Sequence, residues 1–101
     1  DLRNARHAYY GMVSYFDSLI GRILKALDDG GFTENTYVFV VADHGEMLGE
    51  RGTWFKFLPY EWSARVPMIV TGPGIKAGYV EEKGVSLVDL LPTMTELATD
   101  G

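Results

Sequence analysis

The sequence predicts an α/β fold in which a parallel or mixed sheet is flanked by helices. Three observations lead to this prediction: an amphipathic helical pattern over residues 6–29, an unbroken apolar run from Val38 to Ala42, and a second helical pattern over residues 87–98. A run as apolar as Val38–Ala42 suits a strand covered on both faces, as in parallel sheets. Helix, buried strand, loop, strand and helix in this order are typical of an α/β layer.

The first element is a helix over residues 6–29. Its apolar residues recur at spacings of three and four, which places them on one face of a helix. Gly30 and Gly31 follow as a helix stop signal. The apolar face comprises Tyr9, Met12, Val13, Phe16, Leu19, Ile20, Ile23, Leu24 and Leu27.

Two strands and a long connection follow this helix. We expect strands at residues 36–42 and 66–71, separated by a loop over residues 45–65. A loop of this length inside a domain is usually functional or disordered, and its many aromatic residues favour order. A further short strand is predicted at residues 79–86, before the C-terminal helix at 87–98.

Composition limits the possible partners. The chain has 101 residues and a formal net charge of −5, so a nucleic-acid partner has no electrostatic support. No apolar segment approaches the roughly 20 residues of a membrane span, and no membrane partner is expected. The absence of cysteine excludes disulfides and a cysteine nucleophile within these residues, and leaves the compartment open. Because the chain starts without Met and ends directly after a helical pattern, we expect residues 1–101 to be a single partial domain of a longer protein.

Asp43 and His44 are the most informative pair of residues, since they directly follow the apolar run. In open α/β sheets, ligands bind outside the carboxyl ends of the strands. A carboxylate and an imidazole at that place form a reasonable half of a divalent-metal site. The alternative is an Asp that caps the next turn beside an uninvolved His, and the dipeptide alone favours this alternative.

Lys56 lies between two phenylalanines in the long loop. It is either a desolvated point charge for an oxyanion or a surface lysine whose stem covers apolar rings, and spacing alone favours the surface role. The loop aromatics either line a pocket, even one for a quaternary ammonium group, or simply pack within the loop, which is the favoured interpretation. These aromatics are Trp54, Phe55, Tyr60 and Trp62.

The other charged residues allow plainer interpretations. Glu46 and Glu50 are interpreted as solvated loop charges, although such pairs are also candidates for acid–base chemistry. Arg51 and Arg65 either steer an anion or pair with these glutamates. His7 is interpreted as an exposed residue at the start of the helix.

Four segments together resemble the sulfatase family of the alkaline-phosphatase superfamily. The resemblance covers nearly the whole chain, in order and with sensible spacing. It is most similar to the choline-sulfatase branch of arylsulfatases, because His follows the Asp and Met-Leu-Gly-Glu-Arg-Gly comes soon after. Phosphonate monoester hydrolases share the Asp-His-Gly motif and are the nearest alternative. The four segments are Tyr9–Leu24, Val41–Lys56, Glu61–Gly74 and Val85–Met94.

The resemblance implies a role for each candidate residue. Asp43 and His44 would be two ligands of a divalent cation, Ca²⁺ in most sulfatases, with Mn²⁺ or Mg²⁺ as alternatives. Lys56 would bind the oxygens of a small sulfate or phosphonate ester and act in catalysis, and Trp54 is a further candidate contact to the substrate. The implied fold is alkaline-phosphatase-like, and the chain corresponds to the C-terminal part of the catalytic domain.

What the chain lacks is equally specific. The formylglycine nucleophile of the family arises in a Cys/Ser-x-Pro/Ala-x-Arg motif, which is absent from this sequence and is expected upstream. We therefore expect part of a metal-dependent sulfuric-ester hydrolase that is inactive in isolation. The alternatives are a phosphonate or phosphodiester hydrolase of the same superfamily and a non-catalytic α/β module. Unpaired sheet edges and uncovered apolar faces would make the isolated chain prone to form homo-oligomers or aggregates.

Overall fold

The longest element is helix α1, Leu2–Asp29, in the computed structural model, which describes residues 1–99. The helix begins earlier than residue 6, because the Asp1 carboxylate accepts a hydrogen bond from the Arg3 N–H at 3.0 Å and caps the first turn. It ends at Gly30, as the glycine pair predicted. None of the helices within residues 1–99 combines the length and the hydropathy that a membrane span requires.

The remaining elements are short. The loop predicted over residues 45–65 contains a two-stranded hairpin and one helical turn. In chain order the elements are β1 (Val38–Val41), β2 (Met47–Leu48), β3 (Trp54–Phe55), α2 (Glu61–Ala64), β4 (Met68–Thr71) and α3 (Leu90–Thr99), with 3-10 turns at Thr33–Asn35, Glu50–Gly52 and Leu87–Asp89.

Both strand pairs within residues 1–99 are antiparallel. β1 pairs with β4 in a register that places Val38 opposite Thr71 and Val41 opposite Met68, and β2 pairs with β3 as a hairpin. The expected parallel pairing is therefore not found in the described part of the chain. An apolar run indicates that a strand is buried, but it carries no information on the direction of the neighbouring strand. The connection from β1 to β4 lacks the long crossover helix that parallel neighbours usually need.

The strand predicted over residues 79–86 is wrong, because this segment is a loop with no ladder partner. Its polar groups are satisfied locally instead. The Glu81 carboxylate accepts hydrogen bonds from the Lys83 N–H at 2.9 Å and from the Tyr79 hydroxyl at 3.0 Å. Bonds over two residues compete with sheet pairing, and they hold this segment as a turn.

Very little of the apolar surface is buried in this chain. Within residues 1–99, Met47 is the single fully buried hydrophobic side chain, and Phe16 on the apolar face of α1 is 60% exposed. The radius of gyration is 16.6 Å, against about 13 Å for a compact domain of 100 residues. The helix face and the sheet faces are therefore available to neighbouring polypeptide.

Candidate metal and anion site

Asp43 and His44 lie just after β1, where the chain leaves the sheet. The Asp43 side chain is 87% exposed, and its Oδ1 accepts a hydrogen bond from the His44 backbone N–H at 3.0 Å. One carboxylate oxygen thus shapes the turn, as the capping interpretation proposed. The second oxygen, Oδ2, lies 3.5 Å from the Nε2 atom of His44 and takes no part in that turn.

Hydrogen bonds at both ring nitrogens define the tautomer of His44. Its Nδ1 lies 2.8 Å from the carbonyl oxygen of Gly45. A carbonyl only accepts, so Nδ1 carries the proton, and in the neutral ring Nε2 then presents a lone pair. The Lys56 Nζ lies 2.6 Å from Nε2 and donates to that lone pair. The imidazole is therefore oriented with the Nε2 lone pair towards a positive charge.

The spacing of these donors fits a single divalent cation. Two ligands at bond lengths of about 2.3–2.6 Å and at right angles to each other lie about 3.4 Å apart, close to the 3.5 Å between Asp43 Oδ2 and His44 Nε2. The Lys56 ammonium lies beside the same nitrogen, Nε2, and supplies the positive charge there. Residues 1–99 contain no group of three or more potential ligands, so further ligands would have to come from elsewhere.

Gly45 packs the turn after β1 against helix α2. Its N–H donates to the Ser63 carbonyl oxygen at 2.8 Å, and Ser63 is only 5% exposed. A Cβ at position 45 would lie 2.1 Å from the carbonyl oxygen of Trp62, far inside any permitted contact. The close approach therefore requires glycine, and it places the Gly45 carbonyl that orients His44.

The β2–β3 hairpin places Lys56 beside His44. Phe55 has a left-handed backbone (φ 70°), which turns the chain immediately before the lysine. A bulky residue in this region costs about 1–3 kcal/mol and is kept only where the surroundings impose it. Lys56 is exposed, as the surface interpretation predicted, and its ammonium also bonds to His44.

Trp54 is not brought to Asp43 and His44 as Lys56 is. Trp54 pairs with Leu48 across the hairpin and is 40% exposed. Residues two apart share a face only along a regular strand, and the turn at Phe55 breaks that alternation before Lys56. A contact between Trp54 and substrate stays a prediction.

Two further residues were not recognised from sequence. Glu50 is not a solvated loop charge, because its carboxylate pairs with Arg6 of α1 at 2.9 Å. The partners are 44 residues apart, and no local sequence pattern indicates such a pair. The loop arginines found other partners: Arg51 lies 4.7 Å from the centre of the Tyr60 ring, and Arg65 lies 4.0 Å from the Glu61 carboxylate.

Comparison with known proteins finds the same family over almost the whole chain. The sulfatase family model matches residues 1–100. The chain is 40% identical over 98 residues to a choline-sulfatase of Rhizobium meliloti (strain 1021), a match that covers 97% of this chain and 19% of that protein. It is 42% identical over 98 residues to arylsulfatase K of Xenopus laevis, covering 97% of this chain and 18% of the relative. An arylsulfatase of Clostridium perfringens (strain 13 / Type A) is 41% identical over 101 residues, covering 96% of this chain and 21% of the relative. The chain thus spans about a fifth of the length of these relatives.

Proposed function

The chain belongs to the sulfatase family, and on that basis we propose that it contributes two metal ligands and one anion-binding lysine to a metal-dependent sulfuric-ester hydrolase. The observation that carries the proposal is the convergence of Asp43, His44 and Lys56, with Lys56 Nζ 2.6 Å from His44 Nε2. Hydrolysis of a sulfate ester builds negative charge on oxygen, and fixed positive charges stabilise that charge.

Each of the three side chains has a distinct task in this proposal. Asp43 Oδ2 and His44 Nε2 bind the cation, Ca²⁺ by preference, with Mn²⁺ or Mg²⁺ as alternatives. When bound, a divalent cation polarises the oxygens of the ester. Because the Nε2 lone pair accepts one partner at a time, Nε2 would hold the cation and the Lys56 ammonium would face the substrate. There its ammonium binds a sulfate oxygen and stabilises the charge that develops on the leaving oxygen.

The nucleophile must come from other residues. The sequence contains no cysteine and no Cys/Ser-x-Pro/Ala-x-Arg motif in which a formylglycine could arise. The chain covers 18–21% of the relatives' length. We therefore propose that these residues act within a longer protein and that they are inactive alone. The exposed apolar face of α1 is consistent with packing against further polypeptide.

The proposal is tested by turnover in the full-length protein that carries this chain. We expect hydrolysis of an aryl sulfate to exceed that of a phosphonate monoester. Lys56→Ala should lower kcat/KM about 10²- to 10³-fold, as removal of one oxyanion-stabilising donor does elsewhere. Lys76→Ala is the matched control, because Lys76 is an exposed lysine beyond the end of β4 that pairs with Val38, whereas Asp43 follows the opposite end of β1.

Three other outcomes would change the proposal. A preference for the phosphonate ester would favour a phosphonate or phosphodiester hydrolase of the same superfamily. Turnover that is unchanged in Lys56→Ala would remove Lys56 from the site. A full-length protein with no hydrolytic activity and no divalent-cation binding at Asp43 and His44 would leave a non-catalytic α/β module.

A further inference from the structure

An ion pair between α1 and the β2–β3 hairpin lies outside the three-residue site. Arg6 of α1 donates from Nη2 to Glu50 Oε1 at 2.9 Å and from Nε to the Leu48 carbonyl oxygen at 2.8 Å. The second oxygen of Glu50 accepts from the Leu48 N–H at 2.6 Å. Arg6 and Glu50 together thus hold both backbone polar groups of one residue of the hairpin. We call this arrangement the Arg6–Glu50 clamp.

The clamp is directly connected to the lysine of the site. Leu48 lies opposite Trp54 in the antiparallel ladder, and Met47 lies opposite Phe55. Lys56 is the next residue after this ladder. Any shift of Leu48 relative to α1 is therefore transmitted through one rung of the hairpin to the residue that bonds with His44.

Within the described residues, the side chains of the second strand of the hairpin and of Phe57 are exposed. Trp54 is 40% exposed, Phe55 is 62% exposed, and Phe57 is 81% exposed. The firm contacts lie on the first strand, where Met47 is buried and the start of α1 lies against the turn. A Cβ added at Gly49 would lie 2.4 Å from Leu2 Cδ1. Within residues 1–99, the hairpin is thus attached to α1 at its β2 side, and the bond between Lys56 and His44 holds its other end.

We propose that Arg6 and Glu50 are positioning residues that fix the hairpin on α1 so that Lys56 reaches the anion site, an inference that rests on the proposed function. The Arg6 guanidinium is a planar fork, and it meets one carboxylate and one carbonyl at once, which a lysine ammonium cannot reproduce with the same geometry. Neither residue contacts the substrate or the cation in this proposal. They act on catalysis only through the placement of Lys56.

The carboxylate of Glu50 is ionised in this arrangement. Hydrogen bonds from the backbone N–H groups of Glu50 itself and of Leu48 hold the pKa of its carboxyl below the ordinary value of 4.5, and the Arg6 guanidinium lowers the pKa further. The ion pair is thus intact at neutral pH. Glu50→Gln removes the charge while keeping the size of the side chain.

The test compares Glu50→Gln and Arg6→Lys with Asp29→Asn in the full-length protein. Asp29 pairs with Lys25 at 2.7 Å in an exposed ion pair at the far end of the same helix, so Asp29→Asn changes charge equally without touching the hairpin. Three quantities are measured: hydrogen exchange of the amides of residues 48–57, kcat/KM for an aryl sulfate, and affinity for Ca²⁺. A displacement of about 1 Å at a reacting group can lower the reaction rate about 100-fold.

We expect faster exchange over residues 48–57 and a 10- to 100-fold lower kcat/KM in Glu50→Gln, on the scale that misplacement of a reacting group sets. Arg6→Lys should give a smaller effect of the same kind, and Ca²⁺ affinity should stay that of the wild type. Asp29→Asn should match the wild type in all three. If hydrogen exchange over residues 48–57 in Glu50→Gln equals that of the wild type, the clamp does not hold the hairpin and the proposal is overturned.

Three further results would decide how the clamp is related to catalysis. Faster exchange with a kcat/KM equal to that of Asp29→Asn would show that the clamp does not place Lys56. Equal losses of kcat/KM and of Ca²⁺ affinity would show a general structural role, which also overturns the proposal. A wild-type protein that turns over no sulfate ester would refute the proposed function, while the exchange comparison would still decide whether the clamp holds the hairpin.

Discussion

Gly45→Ala tests how closely the turn after β1 must approach helix α2. The added Cβ would lie 2.1 Å from the Trp62 carbonyl oxygen and 3.0 Å from that of Arg65. Ordinary contacts begin at 3.4 Å, so one backbone segment must retreat by about 1.3 Å. The obstructing atoms belong to the backbone, and no side-chain rotation can relieve the clash.

The magnitude follows from two losses. Forcing extra volume into a packed contact typically costs about 1–3 kcal/mol. The hydrogen bond from the Gly45 N–H to the Ser63 carbonyl, 2.8 Å long, would stretch beyond bonding range, and its loss adds about 0.5–1.5 kcal/mol. We expect the free energy of unfolding to fall by about 2–4 kcal/mol in total. The Gly45 carbonyl that orients His44 would move as well, so Ca²⁺ affinity should fall together with stability.

Thermal unfolding and calorimetric Ca²⁺ titration of the full-length protein measure both effects. Gly84→Ala is the matched control, because a Cβ there meets no atom within 4 Å among the described residues. We expect this control to unfold and to bind Ca²⁺ like the wild type. A Gly45→Ala protein with wild-type stability and affinity would show that the approach of Gly45 to α2 is looser than the structure has it, and would refute the reasoning.

Three further predictions address burial, pH and self-association. Met47→Ala should lower the free energy of unfolding of the full-length protein in urea by about 2–5 kcal/mol, because Met47 is 1% exposed, whereas Lys76→Ala, at an exposed lysine after β4, should cost far less. Equal losses would contradict this prediction. Because the pKa of Glu50 is lowered by its hydrogen bonds and by Arg6, its contribution to stability is present above about pH 4.5 and is lost as the pH falls through the lower folded pKa. The free energy of unfolding in urea should therefore depend less on pH in that acidic range for Glu50→Gln than for the wild type. The same pH dependence in both proteins would count against the ion pair. The isolated chain should self-associate in sedimentation experiments through apolar surface such as that of Phe16, and Phe16→Glu should weaken the association; a wild-type chain that stays monomeric would remove this expectation.

The three residues of the candidate site could be predicted from the sequence. The residues that hold the hairpin on α1 could not. Asp43 and His44 stand out because an apolar strand ends there, and Lys56 gained a role only through the resemblance to a family. The structure brings Lys56 and His44 to within 2.6 Å across twelve residues of chain. Arg6 and Glu50, in contrast, carry no signal, since each is a charged residue in an ordinary context and their contact spans 44 residues.

The sequence by itself determined the elements that local rules control. The period of the apolar residues defined α1, two glycines defined its end, and the apolar run defined β1. The tertiary structure decided what depends on distant partners: the antiparallel direction of β1 and β4, and the clamp between α1 and the hairpin. The physical reason is that a helix closes its hydrogen bonds within a few residues, whereas a strand or an ion pair is completed only by a partner that the fold brings to it.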